Sequence, residues 1–142
     1  MGKKAIEMDN RIIDKLAWLH IENQKQLCVR AKGKDKFYSP GGKRKPGETD
    51  IQALAREVKE ELNIDIIPQT ARLFNVYTAQ ADGKPSGVMV QMTFYTADYT
   101  GAMVPSSEIE EIAWLDSSDA YRLSEIHIRK LLPDLLAKGL VR

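Results

Sequence analysis

Near the middle of the chain, Thr49 to Leu62 carries an apolar repeat that a helix gathers onto one side. Ile51, Leu54, Ala55, Val58 and Leu62 recur at spacings of three and four, the period of an amphipathic α-helix. Both ends are marked. Thr49 stands where an N-cap is needed, and Gln52, three residues on, completes a capping-box pattern. Asn63 follows the last apolar position and enters the left-handed conformation at low cost, so the helix is expected to end there. Such a helix must bury its stripe against another layer.

The flanking segments read as that layer. Lys15 to Ile21 alternates loosely, with Leu16, Trp18 and His20 set against Ala17, Leu19 and Ile21, and reads as a strand. Polar Glu22-Asn23-Gln24 turns the chain, and Leu27 to Ala31 completes a hairpin. After a turn at Lys32-Gly33-Lys34-Asp35, Phe37-Tyr38 leads into Ser39-Pro40-Gly41-Gly42, where regular structure is expected to stop. Arg72 to Thr78 and Val88 to Thr96 are rich in β-branched and aromatic residues and read as strands across the turn-rich Ala81 to Pro85. Tyr99-Thr100-Gly101 reads as a turn, and Glu111 to Leu115 as a short last strand. Ser124 to Ala137 is amphipathic around Ile126, Ile128, Leu131, Leu132 and Leu135, and Pro133 should kink or divide that helix. The order strands, helix, strands, helix argues for a mixed sheet with helices packed on it. The 142 residues suffice for one domain, taken as 1–142, and are too few for two ordinary ones.

Composition narrows the function classes. The net charge of +1 supplies no electrostatic reason to expect duplex nucleic acid as a partner. Cys28 is the sole cysteine, so there is no internal disulfide and no Cys-rich zinc pattern; between Leu27 and Val29 it reads as a small core residue. Met1 to Asn10 is mostly polar, with no apolar secretory core, and no run approaches the length of a membrane span. The expectation is a soluble cytoplasmic protein without a membrane partner.

Within the helix, Arg56-Glu57-Val58-Lys59-Glu60-Glu61 concentrates acid. At about 100° per residue, Glu57, Glu60 and Glu61 share a face, expected to lie well away from the centre of the apolar stripe. Like charges at these spacings destabilise a helix by about 0.2–0.5 kcal/mol per pair. Acids in the last turns also oppose the helix dipole by about 0.3–1 kcal/mol each. Arg56 can offset part of this through Glu60, but one arginine does not balance three glutamates, whereas a divalent cation would. Taken alone, the cluster would usually be a solvated acidic face. The preceding loop shifts the weighing: Gly41-Gly42 lets backbone approach a ligand and frees carbonyl oxygens, Pro40 stiffens the entry, and Lys43-Arg44-Lys45 adds positive charge. Oxygen donors without His or Cys point to Mg²⁺ or Mn²⁺.

These residues resemble the Nudix box, G-x5-E-x7-R-E-U-x-E-E-x-G-U with U aliphatic. Here it reads Gly42, five residues, Glu48, seven residues, then Arg56-Glu57-Val58-Lys59-Glu60-Glu61-Leu62-Asn63-Ile64, with Asn63 in place of the last glycine. The resemblance implies an α/β/α sandwich around a mixed sheet. It also implies Mg²⁺- or Mn²⁺-dependent hydrolysis of a nucleoside diphosphate linked to another group. Carried over by position, Glu57, Glu60 and Glu61 would be metal ligands, with Glu57 also a candidate general base. Arg56 would orient the acids, Glu48 would brace the loop or hold a water, and a carbonyl of Gly41 or Gly42 would join the coordination. Many relatives add a later acid; Glu108 is the first choice here and Glu111 the second, each balanced against an exposed acidic turn.

Other candidates come from the residues themselves. Arg30 could hold a phosphate or form a surface salt bridge. Tyr38, Phe94, Tyr95 and Trp114 could include a base-stacking ring, although each alone reads as core. His20 and His127 have no partner motif and read as structural or exposed. General resemblance to MutT-type members implies a nucleoside triphosphate pyrophosphohydrolase. Nucleotide sugars, dinucleoside polyphosphates and capped RNA ends are alternatives, as is a non-catalytic nucleotide-binding regulator. Family members are often homodimers, but no stretch of the sequence marks an interface.

Overall fold

The computed structural model describes residues 11–81 and 84–142. The polar segment Met1 to Asn10, and Asp82 and Gly83 of the expected turn, lie outside the described residues. Strand β1 (Ile12–Trp18) is central: it pairs in parallel with β7 (Met89–Thr96) and antiparallel with the short β4 (Gly41–Lys43). On the far side of β7 lies antiparallel β6 (Arg72–Gln80), so the sheet order is β4-β1-β7-β6. A second sheet joins β2 (Ile21–Glu22), β3 (Lys25–Ala31) and β9 (Ile109–Leu115). A two-strand ladder joins β5 (Asp65–Ile66) to β8 (Tyr99–Thr100).

Alternation along β1 sends its side chains to two cores, as expected for a strand covered on both faces. Leu16 and Trp18 pack with Leu27, Val29, and Leu54, Val58 and Leu62 of helix α1 (Asp50–Leu62). Ala17 and Leu19 pack with Cys28, Phe94, and Leu131, Leu132 and Leu135 near the C-terminus. The α/β/α arrangement expected from the sequence is therefore present, and Cys28 is a fully buried core residue.

Helix α1 begins and ends as its sequence implies. The Thr49 side chain accepts from the Gln52 N–H, and the Gln52 side chain accepts from the Thr49 N–H. Asn63 is left-handed (φ 57°, ψ 34°) and closes the last turn. The C-terminal helix is divided: His127–Leu131 is π-helical and Leu132–Ala137 is α-helical (α2). Pro133 stands in the first turn of α2, where its missing N–H is tolerated.

Three local expectations are corrected. Gly41–Lys43 is a strand rather than irregular loop, because two glycines let its backbone approach β1 closely. A Cβ at Gly41, whose φ is 149°, would strike the backbone of Leu16 and Ala17. Tyr99–Thr100 is a strand rather than a turn, because the chain leaving the Asn63 cap brings Asp65–Ile66 alongside it. Lys15 to Ile21 is interrupted after Trp18: β1 starts earlier, at Ile12, and Ile21–Glu22 pairs separately with β3. No helix among the described residues is long and apolar enough to cross a membrane.

Candidate active site

The β1–β4 register positions the glycines under α1. Trp18 N–H donates to the Pro40 carbonyl at 2.8 Å and Arg44 N–H to that of Asp14 at 3.4 Å. Antiparallel ladders alternate bonded and non-bonded pairs. Gly42, opposite Leu16, therefore falls at a bonded position, and Gly41, opposite Ala17, faces away from β1. The Gly41 N–H donates instead to Glu61 Oε1 at 2.9 Å. Of the two glycine carbonyls, it is that of Gly41 that is left for a ligand. At Gly42, a Cβ would lie 2.5 Å from the Glu57 carboxylate, so only glycine allows that carboxylate its position.

The acids do not share one environment. Arg56 binds Glu48 through two nitrogens, at 2.6 and 2.9 Å, and reaches Glu57 at 2.9 Å and Glu60 at 3.2 Å. A further bond joins it to the Lys43 carbonyl at 3.0 Å. Glu48 also accepts from the Lys45 N–H, and the Arg56 contact first, then that bond, hold its carboxyl at about 2. One arginine thus gathers three carboxylates, and Glu48 ties Arg56 to the Lys45 backbone of the preceding loop.

Glu61 stands apart. Only 2% of it is exposed, so the acidic face expected to lie well away from the centre of the apolar stripe has one member buried at the stripe's border. Burial first, then the charges of Glu57, Glu108 and Glu60, push its carboxyl up to about 8 against the lowering effect of the Gly41 N–H. Burial also raises Glu57, partly offset by Arg56.

Segment 104–106 closes the end of α1. Val104 and Ser106 N–H groups donate to the carbonyls of Leu62 and Glu61, and Ser106 Oγ donates to that of Glu60 at 2.6 Å. These bonds satisfy carbonyls that a helix end leaves open. They also bring the next residues to the site: Glu108 lines a cavity of about 580 Å³ with Glu57, Glu61, Gly41, Gly42 and Tyr38. Burial, then Glu61, Glu108 and Glu57, raise the Tyr38 hydroxyl. The same cavity has a basic wall of Lys15, Lys43 and Lys84 and an apolar one including Ile13, Val90, Met92 and Ile126. Sequence reading missed most of these. The period-two alternation that sets Val90 and Met92 on one face of β7 was their one local signal.

Other candidates lie elsewhere. Arg30 does not line the cavity. It faces Glu111 across the β3–β9 ladder, binds it at 3.1 and 3.2 Å, and reaches Glu110 and the Lys34 carbonyl. The salt-bridge alternative describes it, and Glu111 is turned to Arg30 while Glu108 faces the cavity. Phe94 is core, Tyr95 donates to Asp50 at 2.6 Å, and Trp114 packs near His20, which stacks on Trp18. Among the described residues, no three His, Cys, Asp or Glu side chains converge as a ready-made metal cage, and Arg56 pairs with both Glu57 and Glu60.

Comparison with known proteins agrees with this geometry. The model of the NUDIX domain family matches residues 16–135. Nudix hydrolase YvcI of Bacillus subtilis (strain 168) is 32% identical over 118 residues, 82% of this chain and 74% of that protein. An ADP-ribose pyrophosphatase of Methanocaldococcus jannaschii is 28% identical over 118 residues, 81% of this chain and 68% of that protein. The solution structure of the E. coli ORF135 protein superimposes with a TM-score of 0.69 at 24% identity, covering 91% of both chains. With the family match spanning most of the fold, and Gly42, Glu57 and Glu61 of the box lining one cavity, the chain belongs to the NUDIX domain family and is a hydrolase acting on phosphorus-containing anhydrides.

Proposed function

We propose that the chain cleaves nucleoside triphosphates to a monophosphate and pyrophosphate. The observation that carries this reading is the composition of the 580 Å³ cavity: carboxylates beside a glycine strand, three lysines, and an apolar wall. Those surfaces suit, in turn, a divalent cation, a polyphosphate and a nucleobase.

The donor chemistry fits Mg²⁺, with Mn²⁺ as a substitute, because every candidate ligand is oxygen. Glu57, Glu60 and Glu61 would hold the ion with the Gly41 carbonyl and Glu108; burial first, then neighbouring carboxylates, raise the Glu57 and Glu61 carboxyls, a penalty on their charged forms that a cation would offset. When bound, the ion supplies charge neutralisation at phosphate oxygens and a more acidic attacking water. Glu57 would be the base that takes a proton from a water attacking phosphorus, as the bridging P–O bond breaks and pyrophosphate leaves. Arg56 keeps Glu57 and Glu60 in reach of the site, and the Gly41 N–H keeps Glu61 there.

A second reading is hydrolysis of a nucleotide sugar, favoured by the 28% identity to an ADP-ribose pyrophosphatase. A purely nucleotide-binding role is disfavoured because Glu57, Glu60 and Glu61 are all present. A panel of nucleoside triphosphates, ADP-ribose and dinucleoside polyphosphates with Mg²⁺, scored for phosphate and pyrophosphate, separates these. Glu60→Gln and Glu61→Gln should each lower turnover about 100-fold. Near-wild-type rates in either variant refute its assignment as a ligand; binding without turnover across the panel favours the regulator.

A further inference from the structure

A buried polar chain runs behind the cavity wall. Gln26 Nε2 donates to Ser39 Oγ at 3.0 Å, Ser39 Oγ lies 2.8 Å from His127 Nε2, and His127 Nδ1 lies 2.9 Å from Ser124 Oγ. His127 is fully buried and Ser39 is 1% exposed, whereas Ser124 is half-buried and lines the cavity. The chain therefore has one dry end and one end open to substrate.

The direction of its hydrogen bonds follows from that asymmetry. Ser39 has one proton and already accepts from Gln26. Were the His127 Nε2 to carry a proton toward Ser39, the Ser39 hydroxyl proton would be left buried with no acceptor, which is costly. Ser39 therefore donates to Nε2, and the neutral ring carries its proton on Nδ1 and donates to Ser124. Complete burial keeps the ring neutral. Ser124 Oγ then already accepts, which leaves its own proton for a partner other than His127, on a residue that lines the cavity.

We infer that His127 is a positioning residue which, held by Ser39, sets the Ser124 hydroxyl as a hydrogen-bond donor to an acceptor oxygen or nitrogen of the bound substrate. This rests on the cavity being the substrate site of the proposed hydrolase. His127 opens the π turn His127–Leu131, a winding seen mostly as single turns within helices and frequently at functional sites.

Two measurements test it. The sequence has two histidines, so ring ¹H–¹⁵N correlation spectra of the wild type and His20→Asn assign the His127 signals. The expected pattern is the neutral Nδ1-protonated tautomer; an Nε2-protonated ring or an imidazolium at neutral pH overturns the inference whether or not a substrate is known. For the best substrate of the panel, Ser124→Ala should raise KM about 3- to 10-fold with a much smaller change in kcat, and Ser124→Thr should restore KM. An unchanged KM in a folded Ser124→Ala, or a KM that Ser124→Thr leaves raised, also overturns it. Absence of turnover by the wild type defeats the hydrolase reading instead, and the substrate role of Ser124 with it, so the two failures are distinguishable.

Discussion

Glu61 and His127 show how much a single position can conceal. Glu61 lies about 20° around the helix from Leu54, at the border of the apolar stripe, so packing of α1 on β1 buries it while Glu60 keeps a 45% exposed side chain. The sequence places all three glutamates on one face; the depth to which α1 sinks decides which of them loses water. His127 belongs to no motif, and its partners lie 88 residues back, at Ser39, and 3 back, at Ser124. Burial pushes its ring down from 6.5 to about 4. A lowered histidine stabilises the fold fully above its unfolded value near 6.5, and that contribution disappears as pH falls through 4. Urea unfolding of the metal-free protein should therefore show about 3 kcal/mol of pH-dependent stability in this window. His127→Gln should lose that increment. Equal slopes in wild type and variant would contradict a neutral buried ring.

At the level of elements, α1 is the most self-specified. Its capping box, apolar stripe and left-handed Asn63 all belong to neighbouring residues, so local chemistry suffices to write it. Thr49→Ala should destabilise the fold by about 1 kcal/mol, measured by denaturant unfolding, because the Gln52 N–H loses its side-chain acceptor. A loss below a few tenths would mean that Arg44, which binds Asp50 in the first turn at 2.6 Å, holds that end by itself. Strand β4 is the opposite case. Gly41–Lys43 has no strand propensity, and it becomes one because β1 offers a partner and glycine allows the approach. The two-residue ladder of β5 and β8 likewise has too little local pattern to be read before its partner is known.

Across the whole molecule, one sheet separates two hydrophobic clusters, with α1 on one side and the C-terminal helix on the other. Alternating residues of β1 belong to both, so the clusters share a backbone and should melt together. Leu54→Ala and Leu135→Ala, each truncating a fully buried side chain, should each cost about 2–5 kcal/mol. Calorimetry should record a single transition in both variants. Two resolved transitions would show that the faces unfold separately.

The amino-acid sequence alone determined the helix, its caps, most strands and the chemical character of the site, because each is written in residues within a few positions of one another. Tertiary structure alone decided that Glu108 faces the cavity while Glu111 binds Arg30, that Glu61 is buried, and that Gln26, Ser39, His127 and Ser124 form one chain. Those outcomes depend on strand register and packing depth, which are set by contacts between segments far apart in the chain.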